Sequence, residues 1–372
     1  MRESDSMAIT GKQLFWLIST MQVGMTVLLT INPMILISRQ DAWMSSVLAG
    51  LIGMFVAWVC SRISLLMPGM TLVDYARSLL GSWLGNALIV LYLVQWYSVL
   101  AIILRQYSEL IVGSALLKTP MTVPMLGMLF VAVYAVHSGL VTIARCSQIF
   151  GPFILLGIAV PILLSLRDFD LRNLQPVYQD TGWMTLIHGS LPTGTFLGDC
   201  VMLIFLFRFV AKPATGVRPA ILGVGIAGLL VGAATLLIVG VISAARAAGS
   251  TYPYFQLVRY ISYTDSFQNL DAIVVALWIS GVFIKISLYL FVSAYGTSQL
   301  LGVRRWKRSL WIIAPLALGL AYIPRDFIQS SVQFPQNIAI PFILPFYYIG
   351  MPIVLLGLAK LRQVRLERGR QD

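Results

Sequence analysis

Charge is scarce in this chain of 372 residues: only 11% are Asp, Glu, Lys or Arg, against roughly a quarter in soluble domains. That shortage excludes a water-soluble enzyme of this size, which would lack the polar surface to stay in solution. Cysteine is sparse too. Cys60, Cys146 and Cys200 are odd in number, lie in or beside apolar runs and show no metal spacing, so neither a disulfide framework nor a zinc site is implied. Histidine occurs twice, and there is no nucleophile triad, phosphate loop or redox motif, so neither an enzyme nor a cofactor is expected. Acid is the scarcer sign of charge, 14 residues against 26 basic ones, for a net +12. Such a surplus suits nucleic acid only when it forms a patch on a polar fold, and no nucleic-acid partner is expected here. What is abundant is apolar: 58% of residues are hydrophobic and the mean hydropathy is +0.85. The class left standing is a polytopic, all-α membrane protein.

A helix crosses the hydrocarbon with about 20 residues. Charge-free runs and their interrupted neighbours predict ten spans, near residues 14–36, 43–66, 84–113, 121–142, 147–166, 187–209, 219–243, 271–296, 309–323 and 339–360. With the N-terminus in the cytoplasm, seventeen Lys and Arg fall on that side and seven on the other. The positive-inside rule then puts both termini in the cytoplasm, and the basic face favours anionic lipid headgroups. Two loops are long enough to hold structure. Residues 70–84 carry a helix-period apolar stripe suited to the inner membrane surface. Residues 246–270, rich in Tyr and Phe, read as a partly buried outer lid.

Breaks and buried charges mark where chemistry could sit. Residues 22–26 of the first span, which ends at Asn32-Pro33, carry Gly24 and Thr26, and residues 191–199 of the sixth combine Gly, Pro and Thr. Irregular backbone in a membrane survives only where it lines a cavity or is buried in protein. Paired interruptions in two halves point to an inverted-repeat transporter fold with a midplane site. Five spans is an odd number, so the second five run opposite to the first. The alternative is that Gly24 and Gly194 only permit close helix packing. Lys285 lies too deep in the eighth span to reach either surface, and Asp199 follows the sixth-span interruption. Buried ionisable groups at such depth mark an ion pathway or a counter-charge, so the two are expected to approach one another. A static pair locking helices together is the competing reading. Arg105 and Glu109 share a helix face with Tyr97 and Ala101. Their depth suits an interfacial pair or an outer vestibule, and Tyr97 is better placed to touch a ligand.

Several segments carry a resemblance. They are Ile9-Thr10-Gly11-Lys12-Gln13-Leu14-Phe15, Gln22-Val23-Gly24, Gln40-Asp41-Ala42-Trp43 and Met67-Pro68-Gly69-Met70-Thr71-Leu72. Gly81-Ser82-Trp83-Leu84-Gly85, Leu270-Asp271-Ala272, Trp278 and Phe283-Ile284-Lys285-Ile286-Ser287 continue it along nearly the full length. Together they resemble the endospore germination permeases, the B subunits of spore germinant receptors, within the amino acid–polyamine–organocation superfamily. The resemblance implies ten helices in two inverted five-helix repeats (9–166 and 187–361) of the LeuT type, with helices 1 and 6 broken at the midplane. It implies sensing of a small nutrient germinant such as an amino acid in the spore inner membrane. Its partners would be a larger membrane A subunit and a lipoprotein C subunit. Carried over, Gly24, Met25 and Thr26 would face the ligand, and Tyr97, Ala101, Thr195, Gly198, Trp278 and Ser280 would wall the pocket. Asp199 and Lys285, with Arg105 and Glu109, would form ion pairs or couple an ion. The family often has Glu where this chain has Asp199, which puts any contact needing the longer reach in doubt. A working amino-acid or cation permease stays open beside the sensor reading.

Overall fold

The computed structural model describes residues 7–114, 116–264 and 270–368. Among them the regular structure is helical, apart from one isolated backbone bridge between Ile9 and Val210. The helix α1 (Gly11–Leu29) starts on a capping box: Thr10 N donates to Gln13 Oε1 at 2.9 Å, and Gln13 N to Thr10 Oγ1 at 3.2 Å. It stays helical across Gly24, and the discontinuity with α2 (Ile31–Ser38) falls at Thr30. The expected break at residues 22–26 is therefore displaced by about a turn, because Pro33, which has no N–H to donate to Leu29, weakens the ladder there instead.

Next come α3 (Ala42–Leu66) and α4 (Leu72–Ser114). Gly81, at φ 80° and ψ 172°, bends α4 sharply in a conformation that L side chains avoid. The first turns of α4 thus form a separate arm before the long span, as the stripe at residues 70–84 predicts. The elements α5 (Thr122–Ser138) and α6 (Leu140–Leu164) complete the first half. Between the halves, the loop near residue 178 hangs on buried Asp41, which accepts from Tyr178 N at 3.1 Å and Thr181 Oγ1 at 2.6 Å.

The second half opens with α7 (Gly182–Gly198), which passes through a 3-10 turn, Asp199–Met202, into the short α8 (Leu203–Leu206). It continues with α9 (Pro213–Ile242), α10 (Ala244–Ala248), α11 (Pro253–Thr264), α12 (Leu270–Leu300) and α13 (Leu310–Ala321). The expected outer lid contains α11, whose buried Tyr254 donates to Ile158 O at 3.0 Å; its residues 265–269 lie outside the described residues. The last span is π-helical over Gln329–Gln333 and Pro335–Gly350, then becomes α14 (Met351–Arg368). Pro335, Pro341 and Pro345 each withhold an N–H in that run. In the π register Pro335 leaves Ser330 O without a backbone donor, and Gln106 Nε2 of α4 donates to it at 3.1 Å.

Among the described residues seven helical segments are long and apolar enough to cross a bilayer: Ile31–Leu66, Leu72–Ser114, Leu140–Asp168, Gly182–Phe209, Pro213–Ile242, Ala272–Leu300 and Gln329–Arg362. Thr122–Ser138 is a shorter apolar helix. The halves interlock: α1 and α3 pack on α9, α1 also on α12, and α3 on α7.

Candidate functional site

The site is built around the end of α7. Where the α-helix tightens into the 3-10 turn at Asp199, Gln22 of α1 reaches across and donates from Nε2 to Leu197 O at 2.9 Å. One turn back along α7 from Leu197, Thr193 Oγ1 donates to Thr30 Oγ1 at 2.9 Å, so α7 is bonded to the α1/α2 discontinuity. The Asp199 carboxylate is buried. Tyr348 of the π-helical run donates to its Oδ1 at 2.5 Å, and Gln95 Nε2 of α4 donates to the Tyr348 hydroxyl at 3.0 Å. Lys285 of α12 brings Nζ to 2.6 Å from Asp199 Oδ2. It approaches off the hydrogen-bonding direction, and among the described residues the ammonium makes no directed hydrogen bond. The ammonium also lies 5.2 Å from the centre of the Phe196 ring. An ion pair in this setting recovers its desolvation cost only when hydrogen bonds satisfy the remaining donors and acceptors, and here the carboxylate is better served than the ammonium.

A chamber of about 30 Å³ adjoins the pair, lined by Thr195, Phe196, Asp199, Lys285, Gln106 and Tyr348 among others. Phe196 and Pro335 also line a cavity of about 300 Å³ at the α1/α2 discontinuity, with Thr30, Asn32 and Pro192. Phe196 and Pro335 thus lie between the two spaces, each bordering both.

The expected pocket residues scatter. Thr195 lines the chamber, its hydroxyl donating to Leu191 O at 2.8 Å. Gly198 faces Tyr348 instead of open space: a Cβ there would stand 2.4 Å from the ring, so glycine is what lets the phenol reach Asp199. Gly24 approaches α12, where a Cβ would meet Trp278 at 3.5 Å. Gly24 and Trp278 border a separate void of about 10 Å³, and Trp278 stacks on Tyr107 at a centroid distance of 6.0 Å. Met25 is buried, and Thr26 donates to Gln22 O on its own helix. Ser280 likewise turns back to Ala276 O at 3.1 Å. Tyr97 is removed from the pair: its hydroxyl meets Thr297 Oγ1 at 2.5 Å, twelve residues and about 18 Å along α12 from Lys285. The face of α4 toward Asp199 is the one carrying Gln95, and Tyr97, two residues on, points away from it. Ala101 lines a groove on the outside of the bundle with Ser98 and Asn337. Gln22, Gln95, Phe196 and Tyr348 were not singled out as site residues by the sequence; each is uncharged, and only proximity to the pair distinguishes them.

Arg105 and Glu109 form a second buried pair, Nε to Oε1 at 2.5 Å. Arg105 also donates to Arg325 O at 2.8 Å, and Ser330 Oγ donates to Glu109 Oε2 at 2.6 Å. Glu109 borders an outer cavity of about 1020 Å³ with Tyr252, Phe255 and Gln256. Burial, with the Glu109 charge adding to it, pushes the Tyr252 phenol well above its ordinary range. Among the described residues no cluster of His, Cys, Asp and Glu could hold a metal.

Comparison with known proteins places this geometry. The chain is 24% identical to spore germination protein YndE of Bacillus subtilis (strain 168), over 87% of this chain and 88% of that protein. It is 25% identical to spore germination protein KB of the same organism, over 94% and 92%. Among solved structures it resembles MhsT in complex with L-phenylalanine, with a TM-score of 0.61, 17% identity, and coverage of 92% of this chain and 88% of that one. It also resembles Mhp1, a nucleobase-cation-symport-1 family transporter, closed with bromovinylhydantoin bound, with a TM-score of 0.59, 13% identity, and coverage of 88% and 76%. At these identities the likeness establishes the fold alone, that of LeuT-type transporters. The spore permease family, described as spore germination protein, matches residues 8–330, and the chain belongs to that family.

Proposed function

We propose that this chain is the ligand-sensing membrane subunit of a spore germinant receptor. It would have ten spans in two inverted repeats, 9–166 and 187–361, and both termini on the cytoplasmic side of the spore inner membrane. The observation that carries the reading is the Asp199/Lys285 pair, buried where α7 changes register and bordering a chamber. The ligand this pair suits is a zwitterion, hence an amino acid. An unpaired charge inside a membrane protein is costly, so the two groups hold each other when the site is empty. An amino acid can replace both partners at once, its carboxylate taking Lys285 and its ammonium taking Asp199, with charge balanced throughout. A singly charged ligand would strand one group. A sugar would have to separate the pair and offer no charge in return.

The chamber of about 30 Å³ is too small for an amino acid, so binding requires the Phe196 ring to swing aside and join it to the 300 Å³ cavity. That movement, made at the register change in α7, is what the A and C subunits would read. The transporter fold favours a second reading, an amino-acid or cation permease working by alternating access.

Thermal unfolding of the purified chain with amino acids, sugars and nucleosides tests the proposal. A ligand specific for the native state adds about 2.7 kcal/mol at 100 times its Kd. One or more amino acids should raise the midpoint, and their methyl esters and N-acetyl forms should not. Stabilisation by sugars or nucleosides alone would overturn the zwitterion assignment. Uptake of the stabilising amino acid into liposomes by the chain alone would favour the permease.

A further inference from the structure

The last span exposes amides where a lipid-facing helix has no use for them. Gln333 and Asn337 are exposed and four residues apart, so they stand one above the other. The outer end of this row is set by Gln329, whose Oε1 accepts from Arg325 N at 2.8 Å and whose N donates to Asp326 Oδ1 at 2.9 Å. Asn337 lies eleven residues beyond Asp326, at most about 16 Å along the helix, which is roughly half the hydrocarbon thickness. The neighbouring α4 runs antiparallel and gives the same depth. Gln106 bonds Ser330 O, and Ser98, two turns further in, borders the groove that also holds Asn337.

That groove measures about 370 Å³ between α4, the end of α13 and the π-helical run, and includes Ser98, Ala101, Gln333, Phe334, Asn337 and Ile338. Its rim is apolar: Ile338 is 47% and Ile323 69% exposed, as suits a surface meeting hydrocarbon or another helix. Polar side chains inside a membrane act as links between helices because lipid tails offer them no hydrogen bond. Headgroups cannot serve Asn337 either, since they lie a leaflet away. The opposite face of the same segment, with Ala339 and Ile343, walls the Asp199/Lys285 chamber, and Phe334 borders both spaces.

We infer that the groove seats a transmembrane helix of a second, different membrane protein, one that presents Ser, Thr, Asn or Gln to Gln333 and Asn337. A second copy of this chain fits poorly. A two-fold axis would set groove against groove, with a void between them, whereas a single convex helix fills the concavity. The seat is one helix thickness from the chamber, so a shift of the π-helical run reaches both. The inference stands on the exposed amides and the groove, whatever the chamber binds.

The test is p-benzoylphenylalanine placed at Ile338 of the full chain in its native membrane, with Phe130 of α5, 76% exposed, as the control position. The expected result is a discrete adduct from position 338 alone. Its attachment point should map to a transmembrane segment of one other polypeptide, beside a Ser, Thr, Asn or Gln. Gln333→Leu with Asn337→Leu should lower that adduct about tenfold, the worth of two interhelical polar contacts. An unchanged unfolding midpoint of the purified variant in detergent shows that it folds. Ser98→Leu, on the α4 wall, should lower the same adduct without touching the π-helical run. Adducts with lipid only, an adduct of twice the chain mass, or a yield that survives both variants would overturn the inference.

Discussion

Among the described residues two ion pairs lie buried inside this protein, and they are built differently. Arg105 and Glu109 are four residues apart on one helix, and their outward-directed atoms are taken up by Arg325 O and Ser330 Oγ. Asp199 and Lys285 come from different helices, and the Lys285 ammonium keeps donors that no hydrogen bond uses among the described residues. The first pair is a clasp. It joins α4 to the start of the last span and would make the same contacts with or without a ligand. The second has unspent hydrogen-bonding capacity beside a chamber, which is the condition for exchanging partners. Depth and burial alone do not separate the two; the count of satisfied donors does.

The sharpest way to break this contrast is Lys285→Met, which strands the Asp199 carboxylate. A loss of about 3–5 kcal/mol is expected from removing one partner of a buried pair, read as unfolding in detergent. Adding Asp199→Asn should restore much of it while abolishing stabilisation by amino acids; additive losses in this cycle would mean the groups are not coupled. Glu109→Gln should cost less, about 1–3 kcal/mol, because Gln still accepts from Ser330 and Arg105 keeps Arg325 O. Its ligand-induced midpoint shift should match the wild type, and a lost shift at normal stability would move the outer pair into the site. Smallest of all, Tyr97→Phe removes the bond to Thr297 at about 0.5–1.5 kcal/mol and should leave the ligand response intact. A vanished response would return Tyr97 to the pocket wall.

Much of the frame was legible before any coordinates. Asp199 and Lys285 stood out because charge inside an apolar run demands an explanation. Apolar periodicity marked the helical stripe within residues 70–84, and aromatic content marked residues 246–270 as a partly buried segment. Other features had no comparable signal. Gln22, Gln95 and Tyr348 are ordinary residues for a membrane helix until a partner is known. Gly24 resembled a break and is a helical position facing α12, while Pro33 governs the true discontinuity from three residues away. The π register of the last span had no such signal either, since it depends on what α4 supplies to the freed carbonyl of Ser330.

The scarcity of charge by itself determined that this chain lives in a membrane, and which few ionisable groups must be buried there. Transfer from water to hydrocarbon is a cost each residue carries locally, so it adds along the chain and can be read in order. Which buried group meets which, and which donors are left over, was decided only when α4, α7, α12 and the last span closed around one point. Hydrogen bonds and ion pairs act over a few ångströms between residues far apart in sequence, and no sum along the chain contains them.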